Sequence, residues 1–238
     1  MKKVAVKQLL GEGGWRFLNR MRQSNLAKSF YLAGGTGLAI QLQHRKSFDL
    51  DFFQASLSER IPSRRIASEL GQIFGEWGLK QVSRQIDQVV WDILGTKVSF
   101  IAYPFPLLEP MIDAEKFSQQ LSGICLATPN EIAIMKAYAL GRRATFRDYV
   151  DLYFVIKQGY ASLKNIIAGA ERKFVLGKEK LFSTRLFLEQ LAYTKDLEDQ
   201  DAALNLLFDK KVSAEEVTTF LKNEAICFIE EAVTDKRG

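Results

Sequence analysis

An apolar run, Phe30-Tyr31-Leu32-Ala33, stops at Gly34-Gly35-Thr36, and the segment Thr36 to Gln43 that follows has helical spacing. A strand that turns into a helix on a glycine pair leaves first-turn N–H groups uncovered by side chains, a natural cradle for phosphate. Glycines are also used at such turns for geometry alone, so both readings stand at this point.

The next strand-like segment, Phe48 to Phe53, alternates apolar and acidic residues and carries Asp49 and Asp51 two positions apart. That spacing sets both carboxylates on one face of a strand, with Phe48, Leu50 and Phe52 on the other. Two adjacent carboxylates repel one another, and a hard cation relieves the repulsion. Mg²⁺ suits such a pair because it takes one or two carboxylates and completes its shell with water and phosphate oxygens. Two solvent-facing aspartates on an edge strand are the plainer alternative.

The rest of the first half reads as a mixed sheet with helices. Ser58 to Trp77 is helical after Pro62, Leu79 to Val82 has strand character, and Gln88 to Leu94 with Lys97 to Tyr103 flank Gly95-Thr96 as a hairpin. From Thr128 onward the pattern is helical, giving four or five helices. Thr128-Pro129-Asn130-Glu131, Thr145-Phe146-Arg147-Asp148 and Ser213-Ala214-Glu215-Glu216 each read as a capping box, and Gly141 can close the first of these helices. In the last helix, Val217, Phe220, Leu221, Ile226 and Ile229 suggest one buried face. The expectation is an α+β protein: a small mixed β-sheet with flanking helices over residues 1–127, then a C-terminal helical bundle over 128–238.

Composition narrows the chemistry. His44 is the only histidine, and Cys125 and Cys227 lie far apart without metal-ligand spacing, so zinc sites, disulfide frameworks and histidine triads have little to build on. A net charge of +5 favours a polyanionic partner such as nucleotide or RNA. Two lysines open the chain as in a signal peptide, but Lys7 and Glu12 interrupt the apolar stretch that secretion requires, and no run is long enough to span a membrane. A cytoplasmic protein is expected.

Gly35-Thr36, twelve residues, then Asp49-x-Asp51 is similar to the signature of the nucleotidyltransferase superfamily related to DNA polymerase beta. The fuller string from Tyr31 to Phe53 resembles the AbiEii family, the toxin half of type IV toxin–antitoxin and phage-abortive-infection systems. Residues 132–156 are similar to a second block of that family. The resemblance implies an NTP-using, Mg²⁺-dependent (or Mn²⁺-dependent) nucleotidyltransferase. It implies phosphate contacts from Gly34, Gly35 and Thr36, metal binding by Asp49 and Asp51, and completion of the site by Lys136 and Asp151. Lys136 would bring charge to the triphosphate and Asp151 would act as base or orient the nucleophile. Arg45 and Ser47 are candidate phosphate contacts, as is Arg143, which at seven residues from Lys136 would share its helical face. The resemblance also suggests RNA, especially a tRNA end, as acceptor, and a cognate antitoxin as partner.

One position departs from the superfamily pattern. Many relatives place a third carboxylate on a neighbouring strand, where this chain has Ser99 or Lys97. Serine cannot replace a carboxylate as a metal ligand. The site then uses two carboxylates, or borrows Asp92 across the hairpin, or has lost activity, while Lys97 is a further candidate for phosphate contact. An inactive nucleotide-binding module, and transfer to a protein or to a small molecule such as an aminoglycoside, are the alternatives this leaves.

Overall fold

In the computed structural model, which describes residues 4–75, 78–143, 145–194, 197 and 199–234, the first half of the chain is organised around a seven-stranded sheet. Its elements are α1 (Val6–Met21), α2 (Asn25–Ser29), β1 (Phe30–Leu32), α3 (Gly34–Leu42), β2 (Leu50–Gln54), α4 (Ser63–Phe74), β3 (Leu79–Arg84), β4 (Gln88–Ile93), β5 (Thr96–Ile101), β6 (Ile112–Asp113) and β7 (Cys125–Leu126). The strand order is β3-β4-β5-β2-β1-β7-β6, with β2 parallel to β5, β1 parallel to β7, and the remaining pairs antiparallel. This unit ends at Thr128, and a second begins at Pro129.

The core of the first unit is aromatic. Phe17 of α1 stacks on Phe74 of α4 with centroids 5.2 Å apart, and Phe52 of β2 stacks on Phe100 of β5 at 5.6 Å. Burying each such ring contributes about 1.5–3 kcal/mol, so these contacts fix helices and strands to one another.

Several boundaries differ from the sequence reading. The helix after the glycine pair begins at Gly34, not Thr36, so the glycines form its first turn. β2 begins at Leu50, and Phe48 lies outside it, 48% exposed. Its ring is within reach of Gly11, where α1 is kinked, and so belongs to that contact and not to the sheet core. The α4 helix spans a shorter stretch than expected, and Trp77, placed at its end by the sequence, lies outside the described residues. The hairpin turn sits at Leu94-Gly95, one residue earlier than expected, both with positive φ (55° and 74°). A two-residue turn with two left-handed positions matches the right-handed twist of its strands.

The second unit holds α5 (Pro129–Leu140), α6 (Phe146–Lys157), α7 (Leu163–Lys173), a small hairpin β8 (Val175–Leu176) and β9 (Glu179–Lys180), then α8 (Thr184–Ala192), α9 (Gln200–Asn205) and α10 (Ala214–Thr234). That is six helices among the described residues, more than the four or five expected. Half of the box at Ser213 forms, the Glu216 N–H donating to the Ser213 hydroxyl at 3.1 Å, while the Glu216 carboxylate accepts from Lys157 at 2.7 Å and from the Tyr153 hydroxyl. At Thr145 the cap differs: its hydroxyl donates to the Asp148 carboxylate at 3.0 Å, and Asp199 instead accepts the Phe146 N–H at 2.8 Å. On α10 the buried apolar positions are Val217, Leu221 and Ala225, whereas Ile226 and Ile229 are 42% and 48% exposed. Its buried stripe runs in four-residue steps through 217, 221 and 225; Ile226 falls one position around the helix from it, and Ile229 lies one step further along the stripe, where the burial has ended.

Candidate active site

The register of the sheet brings the glycine turn and the aspartates together. Leu50 pairs with Val98 and Asp51 with Ser99, while the Ala33 N–H donates to the Asp51 carbonyl at 3.0 Å. One row across the sheet therefore runs Val90, Ser99, Asp51, Ala33, and α3 starts from the last of these. Leu50 and Phe52 are buried, and Asp49 and Asp51 are the half-exposed positions.

Gly34 has φ +60°, and a β-carbon on it would lie 2.8 Å from Asp51 Oδ2. Here glycine is required twice, by the backbone and by the carboxylate pressed against it. A β-carbon on Gly35 would collide with the Arg45 guanidinium and come within 3.2 Å of the Ser47 hydroxyl. Thr36 donates to Ser47 Oγ or to the Asp49 carbonyl from its single hydroxyl proton, with Ser47 Oγ at 2.8 Å. Ala33 at the N-cap supplies no side-chain cap, and the groups packed against the first turn of α3 are the Asp51 carboxylate and the Arg45 guanidinium. Gly34, Gly35, Thr36, Arg45, Ser47, Asp49 and Asp51 thus form one cluster. Arg45 is buried there, its Nη1 donating to the Lys46 carbonyl at 3.0 Å.

The neighbouring strand explains the missing acid. Ser99, 2% exposed, occupies the position directly beside Asp51. Lys97 is exposed and sits opposite Asp92 in the hairpin. Asp92 does not approach Asp51: β5 separates β4 from β2, and the Asp92 carboxylate accepts the Gly95 N–H at 3.1 Å. It belongs to the turn, which removes it as a substitute ligand. Among the described residues no group of three His, Cys, Asp or Glu side chains is placed to hold a metal.

Within the second unit, Lys136 and Asp151 do meet, and a third residue joins them. The Lys136 ammonium lies 2.5 Å from Asp148 Oδ1 and 2.8 Å from Asp151 Oδ2. Asp151 is fully buried and Lys136 nearly so. Asp148 was read in sequence only as a cap; its i, i+3 spacing from Asp151 was the available signal. One ammonium faces two carboxylates, so Lys136 is not a bare cation. Arg143 does not share a helical face with it, because α5 ends at Leu140 and Arg143 is exposed in the turn beyond. A second buried pair, Lys173 with Glu131 at 2.6 Å, links α7 to α5 and was not foreseen. Burial pushes the Lys173 ammonium below its usual range, against the opposing pull of Glu131. Asp148 and burial act together on Tyr149, burial the more strongly, raising its phenol to about 12.

Comparison with known proteins defines the class. The fold matches a candidate nucleotidyltransferase of H. pylori (TM-score 0.55, 17% identity, 91% of this chain and 94% of that one). It also matches MenT4, a nucleotidyltransferase toxin of Mycobacterium tuberculosis (TM-score 0.54, 14% identity, 94% of this chain and 88% of that one). An uncharacterized protein of Aquifex aeolicus, aq_aa25, is 29% identical over 213 residues, 90% of this chain and 94% of its own length. The class is nucleotidyltransferase. Residues 16–223 match the family described as nucleotidyl transferase AbiEii toxin, type IV toxin–antitoxin system, and the chain belongs to that family. No helix among the described residues is long and apolar enough to cross a membrane.

Proposed function

We propose that this protein transfers a nucleoside monophosphate from an NTP to the end of an RNA, with tRNA the favoured acceptor, releasing pyrophosphate. The observation that carries the reading is the contact of Gly34 with Asp51: the glycine first turn of a helix lies directly against a carboxylate.

In this reading Gly34, Gly35 and Thr36 receive the phosphates, with Arg45 and Ser47 backing the turn and Lys97 adding positive charge. The donor set beside the turn suits Mg²⁺ or Mn²⁺. Asp49 and Asp51 are two half-exposed carboxylates, Ser99 is neutral, and the remaining coordination is left for phosphate oxygens and water. Bound by Asp49 and Asp51, the ion would neutralise charge developing on the phosphates. Lys136 is aimed by Asp148 and Asp151, and the complete burial of Asp151 favours a positioning role for it over that of a base meeting the acceptor. The family supports an antitoxin as partner, and a cytoplasmic setting belongs to the same proposed reading.

The test is label transfer: protein, Mg²⁺, each α-labelled NTP and total cellular RNA, beside an Asp49→Ala, Asp51→Ala double variant. Label on RNA with the wild type alone supports the proposal. Label on a co-purifying protein or on a small molecule replaces RNA as acceptor. The neutral Ser99 beside Asp51 favours a second reading, a binding module without turnover. Nucleotide binding with no pyrophosphate release would establish that one instead.

A further inference from the structure

An aromatic stack and a cation meet at the C-terminal end of α5. Tyr138 lies parallel to Phe174, with centroids 3.9 Å apart and planes 8° from parallel. The Arg142 guanidinium carbon is 3.7 Å from the Tyr138 ring centroid. Phe174 is buried and Arg142 exposed, so the guanidinium is the solvent-facing member of the group. Beside it opens a cavity of about 190 Å³ lined by Tyr138, Arg142, Phe182, Leu186 and others. That is below the size of ordinary small-molecule sites, too small for a whole nucleotide and suited to one flat ring.

The charge around the stack also has a direction. Arg142, Arg143 and Arg147 fall within six positions, all are exposed, and none forms an ion pair with a described carboxylate. An arginine needed only to end a helix would not require a parallel aromatic pair beneath it. Arginine planes and aromatic faces receive unpaired bases, while neighbouring cations meet the phosphates.

We infer that the Arg142 guanidinium, packed over the Tyr138 ring that itself stacks on Phe174, is a platform on which one unpaired base of an RNA acceptor stacks, entering the cavity toward Phe182. The inference rests on the RNA reading above and names the part of the acceptor that this site recognises. Lysine at 142 would keep the charge and lose the plane, so Arg142→Lys separates stacking from simple attraction.

The experiment uses a single-stranded RNA decamer carrying 2-aminopurine, titrated with the full chain in EDTA, so that no turnover is required. Stacking quenches the fluorophore. The wild type is expected to quench the single strand and not the same strand in a duplex. Arg142→Ala and Arg142→Lys, checked for unchanged melting temperature, should each weaken binding about tenfold and lose the quenching. Arg143→Ala should lower the salt dependence of binding while the quenching at saturation persists. Wild-type quenching by Arg142→Lys, equal binding of the duplex, or displacement of the decamer by ATP at similar affinity would each overturn the inference. Absence of label transfer to RNA would defeat the proposed reaction and leave this binding result standing.

Discussion

Gly34 lies so close to Asp51 that a β-carbon added to it would stand 2.8 Å from the carboxylate oxygen, at a backbone φ of +60°. Gly34→Ala is therefore expected to cost about 1–2 kcal/mol in stability from the left-handed backbone alone. It should lower transfer activity more than the modest stability change explains, because the carboxylate must move. Chemical denaturation and label transfer on the same preparation check both. Full activity would mean that the turn does not approach the reacting phosphates.

Ser99 pairs directly with Asp51, so Ser99→Asp sets a nearly buried carboxylate beside an existing one. Like charges at that position repel, and the variant should melt below the wild type in EDTA. Mg²⁺ should then raise its melting temperature more than it raises that of the wild type. Equal shifts would argue against a cation at Asp51.

Removing Lys173 leaves Glu131 buried without its ammonium. Lys173→Met should destabilise the chain by about 3–5 kcal/mol, and adding Glu131→Leu should recover most of the loss. Urea denaturation of the single and double variants measures it. A double variant no better than the single one would show that the two residues do not act as a pair.

Tyr149 donates its hydroxyl to the Gln190 carbonyl at 2.8 Å and ionises only at about 12, chiefly because of burial. A raised folded value means that its contribution is complete below the ordinary phenol value of 10.0 and is lost as the pH climbs through about 12. Ultraviolet titration should show one late tyrosine that Tyr149→Phe removes, and that variant should lose less stability across this interval.

The glycine turn, the strand through Leu50 and Asp51 and, to within one residue, the Gly95 hairpin were legible because each is local: turn chemistry and alternation lie within a few residues of sequence, although Asp49 falls just before the strand it was read into. Lys136 and Asp151 were singled out through a family resemblance and not through their spacing, and the structure brings the two side chains together. What it missed depends on long-range pairing. Nothing near Glu131 announces Lys173, and β6 and β7 are two-residue strands with too little alternation to register. Arg143 was misplaced because a seven-residue spacing was extended past the end of a helix at Leu140. Ile226 and Ile229 were counted as core because hydrophobicity reports what can be buried, not what is.

The kink of α1 at Gly11, with φ 71° and ψ 175°, interrupts helical pairing next to Leu9, whose carbonyl instead accepts the Ser47 N–H at 2.9 Å. That hydrogen bond holds the backbone of the segment carrying Arg45 and Ser47, yet Leu9 lies upstream of residue 16, where the family match starts. A transplant or a minimal enzyme trimmed to the matched region would keep each proposed catalytic side chain and discard the tether that steadies two of them. Such a fragment offers a way to ask how far the chemistry tolerates a loosened scaffold.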